Sequence, residues 1–202
     1  ANNLDIKYLV IPIEKIYMRY IKDLSPIFDG DHHWDNTQEN IQARIRGTIL
    51  MSYSNRKGAL LLNTSNKSEL AMGYGTLYGD LSGALMVIAD IYKTQVYDLA
   101  NHINKNSVII PVSTITKAPS AELRPDQKDT DSLPEYSVLD PVLHSLIEEG
   151  KTKEELIKEG VDSALIDKIL TLKARSAFKA HQMAPVIKIS NKPLLDQYKW
   201  VE

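Results

Sequence analysis

The chain has 202 residues, 43% of them hydrophobic, and so can bury a sizeable core as one domain. Its formal net charge of −2 at pH 7 excludes the strong basic excess of a nucleic-acid-binding domain. It has no cysteine, which excludes disulfide bonds and thiolate metal sites, and no apolar run approaches the roughly 20 residues of a membrane span.

The first half of the chain is predicted to alternate strands with helices. Tyr8–Ile13 is an apolar run typical of a buried strand, and Glu14–Leu24 has apolar residues at helical spacing. Asn36–Asn55 is predicted as a long helix that stops at Gly58. The next expected elements are a strand at Ala59–Asn63, a helix at Asn66–Met72, a strand at Leu85–Ala89 and a helix at Thr94–Asn104 with Thr94 as N-cap. This alternation predicts an α/β fold with a parallel sheet.

A long polar segment precedes a helical C-terminal part. Residues 117–136 read KAPSAELRPDQKDTDSLPEY, with three prolines and almost no large apolar side chain. Loops longer than about 12–15 residues are usually lids, binding loops or disordered segments, and we predict a lid loop that is poorly ordered without its ligand. The expected helices that follow are Val138–Glu149, Thr152–Glu159 and Asp162–Ala180, before an extended tail at Val186–Ser190.

Residues 60–80, LLLNTSNKSELAMGYGTLYGD, have the pattern of a nucleotide-binding edge. A short apolar strand leads into small polar residues and then into a helix that carries Glu69. Open α/β sheets bind ligands at such edges, where backbone amides, hydroxyls and a carboxylate for Mg²⁺ are available. Asn66 and Glu69 also have capping-box spacing, so Glu69 has a purely structural alternative role.

Four segments together resemble NAD⁺ synthetase, especially the glutamine-dependent type. They are ENIQARIRG (39–47), NTSNKSELAMGYGTLYGD (63–80), the 117–136 segment and FKAHQMAP (178–185). The resemblance implies a Rossmann-like parallel sheet of the adenine nucleotide alpha-hydrolase type with a helical C-terminal part. It also implies a cytoplasmic homodimer or higher oligomer, with no nucleic-acid or membrane partner.

The resemblance implies a ligase of NAD biosynthesis that forms a carbon–nitrogen bond. In that family the nicotinate carboxylate of deamido-NAD⁺ attacks the α-phosphate of ATP, with Mg²⁺ as cofactor. Pyrophosphate leaves, and ammonia then displaces AMP from the acyl-adenylate to give NAD⁺. The ammonia is free or is derived from glutamine by a separate glutaminase domain.

The chain departs from the family in lacking its pyrophosphate-binding loop, Ser-Gly-Gly-x-Asp-Ser. Only nine glycines are present and no two are adjacent. We therefore expect residues 1–202 to be a partial synthetase domain, truncated at its N-terminus, without a glutaminase domain and inactive alone. Leu77 and Ala84 stand where some ammonia-dependent members carry Lys and Asp, which favours the glutamine-dependent type.

Matching positions imply the roles of individual residues. The ATP-binding candidates are Thr64, Lys93 and Ser120. Lys93 is also the catalytic candidate, because its charge would offset that of the departing pyrophosphate. The deamido-NAD⁺ candidates are Asn40, Arg46, Glu69 and Lys179, and Glu69 is also the metal candidate.

Plainer interpretations remain beside these roles. Thr64 is a turn hydroxyl, Lys93 a solvated lysine, Arg44 and Arg46 ion-pair partners of Glu39, and Lys179 a cation at a helix C-terminus. His32 and His33 lack a third metal ligand, and Asp29, Asp31 and Asp35 lack calcium-loop spacing. Two other functions stay open: a non-catalytic nucleotide-binding or dimerisation module, and a related ATP-dependent enzyme such as a GMP or asparagine synthetase.

Overall fold

Helices make up most of the computed structural model, which describes residues 1–28 and 34–194. Two short strands lie among them, β1 (Leu62–Asn63) and β2 (Leu85–Met86). The α-helices in chain order are α1 (Glu14–Leu24), α2 (Asn36–Lys57), α3 (Lys67–Ala71), α4 (Lys93–Ile103), α5 (Val112–Thr116), α6 (Tyr136–His144), α7 (Lys153–Lys158) and α8 (Ser163–Ser176). One turn of π-helix (Ser145–Glu149) follows α6, and a 3₁₀ segment (Ala177–Gln182) follows α8.

The sheet is parallel and small. β1 pairs with β2 in the register Leu62 to Leu85 and Asn63 to Met86. Met86 also forms a parallel bridge with Val186, so the C-terminal tail lies beside β2. The sheet therefore directs the ends of β1 and β2 toward α3 and α4, which follow them.

Two groups of buried apolar side chains form the core. One lies among α6, α7 and α8 and includes Leu139, Leu143, Ile166 and Ile169. The other lies beside the sheet, around Met86. No described helix has both the length and the apolar character needed to cross a membrane.

The long helix α2 begins at the predicted Asn36 and ends at Lys57, two residues beyond the predicted Asn55 and directly before the predicted stop at Gly58. The Asp35 carboxylate accepts the Thr37 amide at 2.6 Å, and Gln38 Oε1 accepts the Asp35 amide at 2.9 Å. Gly58 ends the helix in the left-handed conformation, with φ of 60°. Gly79 lies against Ala43 of α2, so close that an added Cβ would lie 2.9 Å from the Ala43 carbonyl carbon. The loop after α3 is thus packed directly on the α2 backbone.

Several predicted elements need correction. The expected strand Tyr8–Ile13 is wrong: this segment belongs to no strand within the described part of the chain, and Val10 is 81% exposed. An apolar run forms a strand only where a neighbouring chain supplies hydrogen-bond partners. For the same reason the two later strands are shorter than predicted. The tail aromatics Tyr198 and Trp200, like His32 and His33, lie outside the described residues.

Helix α4 begins one residue before the predicted start, with Tyr92 rather than Thr94 as N-cap. Thr94 therefore lies inside the first turn of α4, where its hydroxyl and amide both donate to Asp140 of α6. The predicted helices after residue 136 are present. The stretch predicted as Val138–Glu149 is divided between α6 and the π-turn, and Asp162–Ala180 between α8 and the 3₁₀ segment.

Candidate active site

Glu69 in the first turn of α3 has both of its predicted roles open to it, because its two carboxylate oxygens have different partners. Oε2 accepts the Asn66 amide at 3.3 Å, while the Asn66 side chain accepts the Glu69 amide at 3.0 Å. This reciprocal pair is the predicted capping box. The other oxygen, Oε1, accepts a hydrogen bond from Lys93 Nζ at 3.0 Å. The capping interaction therefore uses only one of the two carboxylate oxygens, Oε2.

Lys93 is the first residue of α4 and a partly buried cation. Its side chain is 19% exposed and that of Glu69 is 18% exposed. Nζ also lies 5.4 Å from the centre of the Tyr136 ring. Burial acts to lower the pKa of Lys93, but the Glu69 charge and hydrogen bond outweigh it, so the pKa is raised above its ordinary value. The ammonium group is thus fully charged at neutral pH.

Ser68 and Asp140 fix the start of α4 against α3. The Lys93 amide donates to Ser68 Oγ at 2.9 Å, and that hydroxyl donates to Asp140 Oδ1 at 2.5 Å. The amide and hydroxyl of Thr94 donate to Asp140 Oδ2 at 2.9 and 2.8 Å. The first two amides of α4 are therefore bonded to protein oxygens. An anion at this helix end would meet the Lys93 side chain rather than these amides.

A cavity of about 370 Å³ opens beside Lys93. Its lining includes Lys93, Tyr97, Lys117 and Ser120. Ser120 Oγ accepts the Glu122 amide at 3.0 Å, and this turn at the start of the lid segment (residues 117–136) forms part of the cavity wall. Two of the three predicted ATP residues, Lys93 and Ser120, thus share one cavity with a second cation.

A buried carboxylate lies behind Tyr136. Tyr136 donates its hydroxyl to Asp129 Oδ2 at 2.7 Å, while Asp129 Oδ1 has no hydrogen-bond partner among the described residues. Burial, followed by the charge of Asp129, raises the pKa of Tyr74. A second cavity, of about 390 Å³, is lined by Tyr74 together with Glu39 and Arg124. Polar groups therefore line cavities around both α2 and α4.

The predicted residues on α2 face neighbouring loops. Asn40 Oδ1 accepts the Thr76 hydroxyl at 2.7 Å. Lys117 lowers the pKa of Glu122, and Arg46 adds a smaller effect in the same direction, which shows that Arg46 lies near the lid segment. Arg44 is exposed and donates to the Leu77 carbonyl oxygen at 3.3 Å. Asn40 and Arg46 thus border the loops around the Glu69–Lys93 pair without a direct contact to it.

Lys179 holds the loop that follows α3. Its Nζ donates to the carbonyl oxygens of Gly73 and Gly75 at 2.8 and 2.6 Å. Burial lowers the pKa of Lys179, with Asp80 acting in the opposite direction. Thr64 is exposed just after β1. Of the predicted residues, the structure thus brings Glu69, Lys93 and Ser120 together, whereas Asn40, Arg46, Lys179 and Thr64 lie around them.

The lid segment is attached to α2. Gln42 Nε2 donates to the Leu123 carbonyl oxygen at 2.7 Å, and Arg124 forms an ion pair with Glu39 at 3.3 Å. The Asp129 amide donates to the Pro119 carbonyl oxygen at 2.9 Å, which closes the segment on itself.

Sequence reasoning missed the polar groups that support the site, namely Lys67, Ser68, Asp90, Asp129 and Asp140. Two of them carried a usable signal. Asp140 lies among Leu139, Val142 and Leu143 in an apolar helix, and Asp90 directly follows the apolar run Leu85–Ala89; a carboxylate in such a place is expected only with a partner. The others, Lys67, Ser68 and Asp129, stand in polar stretches, where burial has no local signature.

A magnesium site would have to be shared with a bound phosphate. No group of three His, Cys, Asp or Glu side chains suited to a metal occurs among the described residues. Glu69 supplies one hard oxygen ligand beside the Lys93 cavity. Mg²⁺ commonly takes one or two carboxylates plus phosphate oxygens and water, so this donor set fits that ion.

Solved structures identify the fold. NMN synthetase from Francisella tularensis has a TM-score of 0.72 and 24% identity, over 96% of this chain and 69% of that one, and shows the fold alone. NH3-dependent NAD synthetase from Campylobacter jejuni has a TM-score of 0.64 and 27% identity, over 93% and 68%. The predicted fold class, an adenine nucleotide alpha-hydrolase type with a parallel sheet, is confirmed.

Sequence relatives identify the family. The chain is 47% identical over 192 residues to glutamine-dependent NAD(+) synthetase of Synechocystis sp., covering 95% of this chain and 34% of that protein. It is 44% identical over 194 residues to the enzyme of the same name from Acinetobacter baylyi, covering 95% and 36%. The chain thus spans about a third of the length of these curated relatives. The NAD synthase family matches residues 1–183, which is most of the sequence, and the chain therefore belongs to that family.

Proposed function

We propose that this chain is the substrate-binding part of a ligase that converts deamido-NAD⁺ to NAD⁺ with ATP and ammonia. The observation that carries the proposal is the Glu69–Lys93 pair, which lies beside the Ser120 cavity in a member of the NAD synthase family. The family match argues against a GMP or asparagine synthetase. The relatives named above are glutamine-dependent enzymes, which supports glutamine as the ammonia source through a glutaminase domain in the complete protein.

The first step forms a bond between a nicotinate carboxylate oxygen and the α-phosphorus of ATP. The bond from that phosphorus to its bridging oxygen breaks, and pyrophosphate leaves with the electron pair. The nucleophile is already ionised at neutral pH, so this step needs no general base. Alignment of the reactants supplies up to about 7–11 kcal/mol of the barrier reduction.

Lys93 is the residue that we assign to the leaving group. Lys93 lines the cavity, and its ammonium stays protonated because the neighbouring Glu69 outweighs the effect of burial on its pKa. A fixed positive charge in a partly desolvated site stabilises negative charge as it develops on pyrophosphate. We assign Thr64 and Ser120 to the binding of ATP at this end of the site.

Glu69 is the residue that would hold Mg²⁺, through the second lone pair of Oε1, the oxygen that also accepts from Lys93. The ion would neutralise phosphate charge together with Lys93. The other Glu69 oxygen is held by the Asn66 amide, which fixes the orientation of the carboxylate.

The second step forms a bond between ammonia nitrogen and the acyl carbon, and breaks the bond from that carbon to AMP. One proton is lost from nitrogen to water. An acyl-adenylate reacts with water, so the site needs cover, which we assign to the lid segment. We place Asn40, Arg46 and Lys179 on the deamido-NAD⁺ side, and we propose that the complete protein is a cytoplasmic homodimer.

Turnover of the complete protein that contains this chain tests the proposal. With ATP, Mg²⁺, deamido-NAD⁺ and ammonium, NAD⁺ and AMP should appear in equal amounts. Lys93→Met should lower kcat about 10²–10³-fold. The matched control is Lys105→Met, since Lys105 is an exposed lysine beyond the end of α4.

Two results would overturn the proposal: no NAD⁺ from the complete wild-type protein, or full activity of the Lys93→Met protein. Binding of ATP without turnover would instead support the non-catalytic module. Residues 1–202 assayed alone should make no NAD⁺.

A further inference from the structure

Lys67, the first residue of α3, has a completely buried side chain. Its Nζ lies 2.9 Å from Asp90 Oδ1 and 2.9 Å from Glu148 Oε1. It also donates to Ser190 Oγ at 3.0 Å and to the Lys192 carbonyl oxygen at 3.1 Å. A buried lysine is expected only where such partners compensate its charge, and here four oxygens surround one ammonium group.

The partners of Lys67 are themselves fixed. Asp90 accepts the amides of Ile189 and Ser190 at 2.8 and 2.6 Å, and the Ser190 hydroxyl at 2.8 Å. Burial acts to raise the pKa of Asp90, but these amides and Lys67 outweigh it, so the pKa is lowered and the carboxylate stays ionised. A polar network of this kind, with each member bonded, is rigid.

The place of the network in the chain links it to the Glu69–Lys93 pair. Lys67 stands two residues before Glu69, and Asp90 stands three residues before Lys93. The Lys67 amide also donates to the Ile91 carbonyl oxygen at 2.8 Å. The Lys67–Asp90 ion pair thus joins the segment that carries Glu69 to the segment that carries Lys93.

We infer that Lys67 is a positioning residue that sets the spacing between Glu69 and Lys93 for Mg²⁺ and the phosphates of ATP. This inference rests on the proposed function. Lys67 is completely buried and is not among the residues that line the Lys93 cavity, so it acts through the segments that it joins. Ser68 and Asp140 join the same two segments by hydrogen bonds, and Lys67 adds the charged part of the connection.

Substitution of Lys67 in the complete protein tests the inference. A misplacement of about 1 Å can cost 10²-fold in rate, so Lys67→Met should lower kcat/KM for Mg·ATP by about 10²-fold, chiefly through a raised KM. The KM for ammonium should not change, and the KM for deamido-NAD⁺ should rise less than that for Mg·ATP, because Glu69 alone of the pair is also a deamido-NAD⁺ candidate. The matched control is Lys151→Met, because Lys151 also pairs with two carboxylates, Glu149 and Glu159, but at the surface.

A merely structural role predicts a different result. An unstable protein loses active molecules, which lowers the apparent kcat while the KM values for Mg·ATP, deamido-NAD⁺ and ammonium all stay at the wild-type level. Breaking a buried ion pair can also prevent folding, and the triple variant Lys67→Met, Asp90→Asn, Glu148→Gln removes the charges together and avoids that cost. It should fold and keep the raised KM for Mg·ATP.

A wild-type KM for Mg·ATP in both variants would overturn the positioning role. An equal rise in the KM values of all substrates would also overturn it. A wild-type protein that makes no NAD⁺ would instead refute the proposed function, so the two failures are distinct.

Discussion

Two regions of the molecule use the same kind of ion pair at opposite degrees of burial. At the α3–α4 junction, the Lys67 and Asp90 side chains are both 0% exposed. In the lid segment, the Arg124 and Asp131 side chains are 41% and 40% exposed. Breaking a buried pair typically costs about 3–5 kcal/mol, whereas an exposed pair contributes about 0–1 kcal/mol. The junction is therefore a rigid support, whereas the Arg124–Asp131 pair adds little to the hold on the lid segment, whose buried residues include Leu133 and Tyr136 at its C-terminal end.

A large effect on stability is expected at Asp140, which accepts three hydrogen bonds from Ser68 and Thr94. Asp140→Ala leaves these buried donors without an acceptor and should lower the free energy of unfolding by about 3 kcal/mol. Denaturant unfolding of the complete protein measures this. The control is Asp167→Ala, which removes an exposed pair with Lys153 and should cost less than about 1 kcal/mol. Equal losses would remove the distinction between the regions.

A smaller effect is expected where the loop after α3 packs on α2. In Gly79→Ala the new Cβ would lie 2.9 Å from the Ala43 backbone, and backbone cannot yield as a side chain does. The free energy of unfolding should fall by about 1–3 kcal/mol. Gly58→Asn is the control, because Gly58 has open space around it and Asn tolerates its left-handed conformation. An unchanged stability of Gly79→Ala would show that the rigid support does not extend to α2.

Acid should weaken the junction through Asp90. Its folded pKa is below the ordinary value of 3.8, so its contribution to stability is complete above 3.8 and is lost as pH falls further through the folded pKa. Asp90→Asn should therefore flatten the fall in unfolding free energy below pH 3.8. Chemical denaturation at a series of pH values measures the slope. An identical slope in wild type and variant would exclude Asp90 as a source of acid sensitivity.

The smallest effect on stability is expected in the lid segment. Arg124→Ala removes the pairs with half-buried Glu39 and exposed Asp131, and because Arg124 itself is exposed it should change the free energy of unfolding by only about 1 kcal/mol. It should nevertheless speed cleavage of residues 117–136 by proteinase K, because the segment loses an attachment to α2. Arg175→Ala, on an exposed position of α8, is the control. Slow cleavage of the wild-type segment, equal with and without Mg·ATP, would count against a lid.

Sequence patterns predicted the structural features that depend on residues close together in the chain. The apolar spacing of Glu14–Leu24 gave the bounds of α1, and the predicted capping box Asn66–Glu69 is present. The resemblance to a family selected Glu69 and Lys93, which are in direct contact. These features depend on local spacing or on a shared motif, and both are visible in a single sequence.

What the sequence did not predict depends on distant partners. Lys67 is buried because Glu148 and Ser190 reach it from 81 and 123 residues away. Tyr8–Ile13 has the composition of a strand, but a strand also needs a neighbour, which composition does not reveal. Thr94 has the right residue type for a cap, yet it lies inside α4 and its hydroxyl donates to Asp140, 46 residues away in the sequence.

The bonds between Asp90 and Ser190 span 100 residues, and this has a consequence for synthesis on the ribosome. Asp90, three residues before Lys93, cannot bond to Ser190 until the tail has left the ribosome. Helices α3 and α4 are therefore synthesised long before the residue that fixes Asp90. Contacts of such sequence separation form late and slowly in folding. Nascent chains that stop before residue 190 should thus contain helices but lack the closed junction.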